Sequence, residues 1–300
     1  MAHAHRQVYP GTDLRRLRVA LGLVLALMVG EVAAGVLADS LALLSDAAHM
    51  LTDAAAIAFA LVAAALARRP ARGRFTFGLR RAEILSAQLN GATLVALAAL
   101  IVYEGVRRLV SPPDVEGGVV VVLALAGVVV NVAAARVLAG SERRSLNVEG
   151  AFQHIVTDLF AFIGTAVAGA VVLVTGFDRA DGIAALVVAA LMLRSGFGLL
   201  RDSGRVLLEA APRELDPREI GRTLAAQPHV VEVHDLHVWE VTSGFPALSA
   251  HVLVGPDCDA QKHRRELARL LHDRFGIEHS TLQIELASGP LEIEPLHRDA

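Results

Sequence analysis

Six long apolar runs fill the first two thirds of the chain. They are about Leu17–Ala38, Leu41–Ala67, Glu83–Val106, Gly117–Ala135, Val148–Phe177 and Gly182–Leu200. At roughly 1.5 Å of rise per residue, each is long enough as a helix to cross a hydrocarbon core of roughly 30 Å. In lipid every backbone group must be satisfied within the segment, which leaves helices as the economical solution for runs of this kind. Composition agrees, with 54% hydrophobic residues and a mean hydropathy of +0.51. The excess stops near Asp202, and the remainder reads as soluble protein. The expected architecture is an N-terminal tail (1–16), a six-helix transmembrane domain (17–204), a soluble domain (205–288) and a C-terminal tail (289–300).

Arginine placement sets the expected orientation. Arg6, Arg15, Arg16 and Arg18 precede the first run, six arginines lie between Arg68 and Arg81, and Arg136, Arg143 and Arg144 follow the fourth run. Both termini are therefore expected in the cytoplasm. Arg107 and Arg108 fall on the other side, where Glu104, Asp114 and Glu116 surround them. A net charge of −3 argues against nucleic acid as a partner. One cysteine, Cys258, allows neither an intrachain disulfide nor a cysteine-based metal site.

The soluble part predicts helix–strand–strand–helix–strand. Asp216 caps a helix over Pro217–Ala226, Val230–Val241 and Ala247–Val254 alternate as strands, and Asp259–Phe275 is an amphipathic helix closed by Gly276. Thr281–Leu286 is the last strand. Two helices on one face of a three-stranded sheet make a small α+β domain.

The ionisable residues inside the apolar runs are the chemically informative ones, because their burial in hydrocarbon is costly. His49 and Asp53 stand four apart in the second run, and His154 and Asp158 repeat that spacing in the fifth. A spacing of four puts both groups on one helix face. Two imidazoles and two carboxylates are a tetrahedral ligand set for Zn²⁺, and the two carboxylates balance the charge of the ion. Without the ion the carboxylates repel each other, so metal release and proton uptake are linked at the same atoms. The alternative is that each pair is only a bridge between helices. Asp46, seven residues before Asp53, reads as an exit-path carboxylate or a cap. Glu31, Asn90 and Asn131 read as interhelical hydrogen-bonding groups, and Thr157 as helix packing. A second constellation lies in the soluble part: His234, His237, His251, His263 and His279, with Asp235 and Glu285. His234 and His251 fall on successive strands, within cross-strand reach.

The stretches SLALLSDAAHMLTD, FGLRRAEILSAQLN, SLNVEGAFQHIVTD and VHDLHVW, in this order, resemble the cation diffusion facilitator family over about Leu17–Leu286. The resemblance implies a homodimeric divalent-metal/proton antiporter of the bacterial plasma membrane, binding metal ions and lipid but no nucleic acid. It implies six transmembrane helices and a ferredoxin-like (metallochaperone-like) cytoplasmic domain. The transport site would be His49, Asp53, His154 and Asp158. The histidine opening each pair resembles the zinc-preferring branch, with Cd²⁺ and Co²⁺ as further substrates. A cytoplasmic Zn²⁺ site would fall on His234, His251, His263 and Glu285, where some bacterial members carry histidine at the last position. A loop site seen in some members has no counterpart in residues 68–81, and Gly140–Asn147 lacks the histidine-rich loop of many eukaryotic members. Two rival functions differ in class. A membrane metalloenzyme would need an open coordination position and a base, and no His-Glu-x-x-His is present. A metal sensor would change conformation with metal and carry no flux.

Overall fold

The computed structural model describes residues 11–37, 41–111, 117–140, 146–177 and 179–287. Six long helices come first: α1 (Gly11–Leu37), α2 (Leu41–Ala67), α3 (Ala82–Val110), α4 (Gly117–Ala139), α5 (Leu146–Thr175) and α6 (Arg179–Leu207). They match the six apolar runs, with α1 starting earlier, at Gly11, and α6 running on past Leu200 to Leu207. Among the described residues, three stretches are long and apolar enough to cross a membrane: Ala82–Val110, Leu146–Thr175 and Gly182–Leu207. The chain divides into two compact units at Gly204 and Arg205.

In the first unit, α1, α2, α4 and α5 share one core. Leu17, Ala20 and Val24 meet Met50, Ala54, Ile57 and Ala60, then Ala134 and Leu138, then Val148, Ala151 and Ile155. Small residues at many of these positions let the helices approach closely. Meanwhile Leu100, Tyr103, Val110, Val122, Val129 and Val174 point outward and are exposed. Large apolar side chains turned away from the core are a liability in water and a match for lipid.

Helices α3 and α6 pack through glycine. Gly91 lies against the Gly196 carbonyl, and Gly105 against the Gly182 carbonyl, where an added Cβ would sit 3.1 and 3.3 Å from those oxygens. The two contacts lie fourteen residues apart on each helix, so the antiparallel pair stays in register over roughly 20 Å. Leu94 and Ala98 meet Val188 and Met192 between them, and Ser203 Oγ donates to Gln88 Oε1. The arginines that ran against the expected orientation are locally balanced, Glu104 pairing with Arg107 at 3.5 Å and Arg108 at 3.2 Å. Asn131 donates to the Gly127 carbonyl one turn earlier in its own helix, at 3.0 Å, rather than across to a neighbour. Thr157 likewise donates to the Gln153 carbonyl, at 2.7 Å. The side chains of Glu31, Asp46 and His49, and residues 1–10 and 288–300, lie outside the described residues.

The second unit follows the predicted order: α7 (Pro217–Ala225), β1 (Val230–Glu240), β2 (Pro246–Val254), α8 (Ala260–Phe275) and β3 (His279–Leu286). Asp216 accepts from the Arg218 amide and Asp259 from the Lys262 amide, each at 2.9 Å, as N-caps do. Gly276 ends α8 at φ 66°, a left-handed C-terminal turn that glycine adopts without strain. Strand order is β1–β2–β3, with β1 and β2 antiparallel and β2 and β3 parallel across α8. Ile220 and Leu224 of α7 and Leu267 and Leu271 of α8 cover Ala250, Val252 and Val254 of the central strand. Both helices thus share one face, and His251, Ser249 and Leu253 alternate onto the other.

Candidate metal centre

Helices α2 and α5 run antiparallel and carry the first site. His154 is buried, and its Nε2 lies 2.9 Å from Asp53 Oδ1 and 3.8 Å from Asp158 Oδ2. One donor atom from each of Asp53, His154 and Asp158 lies within 4.8 Å of the others. Both carboxylates keep partial access, at 21% and 18%, while the imidazole has 1%. The cluster is therefore walled by protein on the histidine side and open on the carboxylate side. Asn147 Nδ2 donates to the Ala60 carbonyl at 2.7 Å, two turns further along both helices.

These two contacts share one register. Asp53 faces His154, and seven residues on in opposite directions Ala60 faces Asn147. Continued one turn the other way, the same register sets position 49 level with Asp158. The repeated His-x-x-x-Asp spacing thus has a geometric meaning: on antiparallel helices each histidine position falls opposite the other helix's aspartate. Measured from these contacts, α5 continues about nine residues beyond the start of α2, an overhang of roughly 13 Å. That unequal extension accommodates the different distances of Asp53 and Asp158 from their helix ends.

The second cluster forms on the sheet face away from the helices. His234 and His251 are register partners with ring centroids 5.3 Å apart. His251 Nδ1 lies 3.3 Å from Glu285 Oε1. His234, His251 and Glu285 offer donors within 4.8 Å of one another. The register shifts between His234 and His237, and Asp235 at that shift has φ 51°, a left-handed conformation that aspartate tolerates. The shift turns the Asp235 carboxylate to His237 at 2.9 Å and toward His251 at 3.8 Å. The hydrogen bond from His237 holds the Asp235 carboxyl below the usual carboxylate range. Sequence reasoning had no signal for Gln283, whose Nε2 donates to Glu285 Oε1 at 2.7 Å and fixes the carboxylate.

His263 stands elsewhere. It lies on the face of α8 that carries Leu267 and Leu271, buried against the core. Its ring meets His229 edge to face at 6.4 Å, and its Nδ1 lies 3.6 Å from Glu266 Oε2. His279 is likewise apart, 6.0 Å from the Phe245 ring.

Two helices that bring carboxylates and an imidazole together within apolar segments, joined to a small α+β unit with its own His/Glu cluster, define a membrane protein that handles metal cations. The family described as the cation efflux transmembrane domain matches residues 17–208, and the cation efflux protein cytoplasmic domain matches residues 212–287. The chain belongs to the cation efflux family, a family of transporters. It is 40% identical to the metal cation efflux system protein CzcD of Cupriavidus metallidurans over 292 residues, 96% of this chain and 91% of the relative. It is 40% identical to the zinc transporter ZitB of Escherichia coli over 95% of this chain and 93% of the relative. The cadmium, cobalt and zinc/H(+)-K(+) antiporter of Bacillus subtilis is 35% identical over 95% of this chain and 92% of the relative. The metal-bound C-terminal domain of the CzcD transporter from Cuprividus metallidurans, 37% identical, aligns with 24% of this chain and 100% of its own length, at a TM-score of 0.23.

Proposed function

We propose that the chain is a homodimeric divalent-cation/proton antiporter of the bacterial plasma membrane that exports Zn²⁺, with Cd²⁺ and Co²⁺ as further substrates. One observation carries the reading: Asp53, His154 and Asp158 converge within 4.8 Å inside helices of membrane-spanning length. His49, four residues before Asp53 in the sequence, is the fourth ligand in this reading. Nitrogen and oxygen donors with two negative charges suit a borderline divalent ion and leave the loaded site neutral. Displacing the ion requires protons to take its place on the carboxylates, which couples export to inward proton flow. Each side must reach the site in turn, so the helices rock about it. Six crossings with both termini in the cytoplasm, and a ferredoxin-like cytoplasmic domain, belong to the same reading. The αββαβ order supports that domain class, and the parallel β2–β3 pair sets its sheet apart from an all-antiparallel one.

In the cytoplasmic domain His234, His251 and Glu285 form a regulatory metal site, three donors of the types Zn²⁺ accepts. The relatives named as zinc transporters and as a cadmium, cobalt and zinc antiporter support the choice of ions. The test is flux into liposomes holding a metal-sensitive dye, with an imposed pH step across the membrane. Zinc entry that follows the proton gradient and disappears in Asp53→Ala and Asp158→Ala is expected. Metal-dependent conformational change with no flux would instead make the protein a sensor.

A further inference from the structure

The register between α2 and α5 is set by very little that has direction. Ala54, Ile57, Val148, Ala151 and Ile155 pack around the seam, and all are aliphatic. Such contacts limit sliding through the fit of their side chains, but none of them is a hydrogen bond that fixes one axial position. A slip of one residue moves a side chain by roughly 1.5 Å along the axis. Metal–donor distances tolerate about 0.2 Å. Something directional has to fix the depth at which Asp53 meets His154.

Asn147 supplies it. Its side chain is 2% exposed and its Nδ2 donates to the Ala60 carbonyl at 2.7 Å. A helical carbonyl has a second lone pair beyond the one used in its own helix, and the amide occupies it. The bond lies two turns from the Asp53–His154 contact on the same antiparallel register, and Asn147, Val148 and Ala60 around it are buried.

We propose that Asn147 is the positioning residue of the intramembrane ion site, locking the axial register of α2 against α5 so that the two halves of the donor set close on one ion. This rests on the reading of Asp53, His154 and Asp158 as the transport site. It touches neither the ion nor its ligands and acts through helix register alone.

The experiment uses the full-length protein in liposomes, comparing wild type, Asn147→Leu and Asn147→Gln. Leucine keeps the branched shape and removes the donor; glutamine keeps a donor on a longer arm. In Asn147→Leu the KM for zinc is expected to rise about tenfold, and the preference for Zn²⁺ over the larger Cd²⁺ to fall, because a loosened site loses its fit first. Glutamine is expected to recover the zinc KM to within about threefold. An unchanged KM and unchanged Zn²⁺/Cd²⁺ ratio, with only the maximal rate reduced, would overturn the proposal. So would failure of both variants to yield folded protein, since the bond would then hold the helices together rather than tune the site. Wild type that carries no zinc, or an unaltered KM in Asp53→Ala, sinks the transport reading and this proposal with it; normal wild-type transport with an indifferent Asn147→Leu sinks this proposal alone.

Discussion

Two glycines two residues apart on α6 separate packing from propensity. At Gly196 an added Cβ would lie 2.8 Å from Val95 Cγ2, 3.0 Å from the Gly91 carbonyl and 3.2 Å from Leu94 Cβ. Two of these neighbours cannot swing away: one is backbone and one is the root of a side chain with no exposed surface. Ordinary contact begins near 3.4 Å, so α3 and α6 must part by several tenths of an ångström. At Gly198 nothing lies within 4 Å. Both substitutions to alanine gain the same helix propensity, about 1 kcal/mol. Gly198→Ala is therefore expected to stabilise by up to that amount. Gly196→Ala carries in addition an overpacking cost of about 1–3 kcal/mol. Propensity cancels in the difference between the two variants, leaving the steric part alone. At roughly 2–4 °C per kcal/mol for a unit of this size, Gly196→Ala should melt about 2–12 °C below Gly198→Ala. The assay is thermal loss of the monodisperse peak of detergent-purified protein. Equal midpoints for the two variants would show that the glycine contact between α3 and α6 is not tight, and would refute the argument.

Other expectations follow from the two clusters and from one carboxylate outside the membrane. His154→Ala should reduce zinc flux at least tenfold, as loss of a direct donor costs no less than loss of an outer partner, measured with the dye-loaded liposomes. His251→Ala should weaken zinc binding by the cytoplasmic domain at least about tenfold, while His263→Ala leaves it within about twofold, read by titration calorimetry; equal losses would bring His263 into the site. Glu240 titrates above the ordinary carboxylate range because burial disfavours its charge, an effect opposed by the Gly244 amide and reinforced by Glu214. Its native form holds a proton to higher pH than the unfolded chain does, so stability falls as pH climbs through that window. Glu240→Gln should therefore melt higher than wild type near pH 7.5 and level with it near pH 4; a difference that persists at the lower pH would contradict this.

Much of the protein was already legible in one dimension, for local reasons. Apolar length marked the helices, because a run that long answers to few solvents. Asp216, Asp259 and Gly276 marked the ends of α7 and α8, because capping is satisfied within a few residues. The repeated spacing at positions 49/53 and 154/158 pointed to the cluster in which Asp53, His154 and Asp158 converge, since four residues share a face wherever the helix lies. Only the tertiary structure decided how the halves meet. Asp53 pairs with His154 because α2 and α5 are antiparallel in a particular register, marked also by the Asn147–Ala60 hydrogen bond and by the unequal overhang of the helices, none of it visible in the spacing. In the same way His234 and His251 were expected to meet across strands, and they do. His263 was grouped with them, but it sits on the core face of a helix packed against the sheet's other side. Histidine in a sequence carries no record of which face it will occupy, because that depends on how a helix rolls onto a sheet, and rolling is settled by Leu267 and Leu271 finding Val252 and Val254.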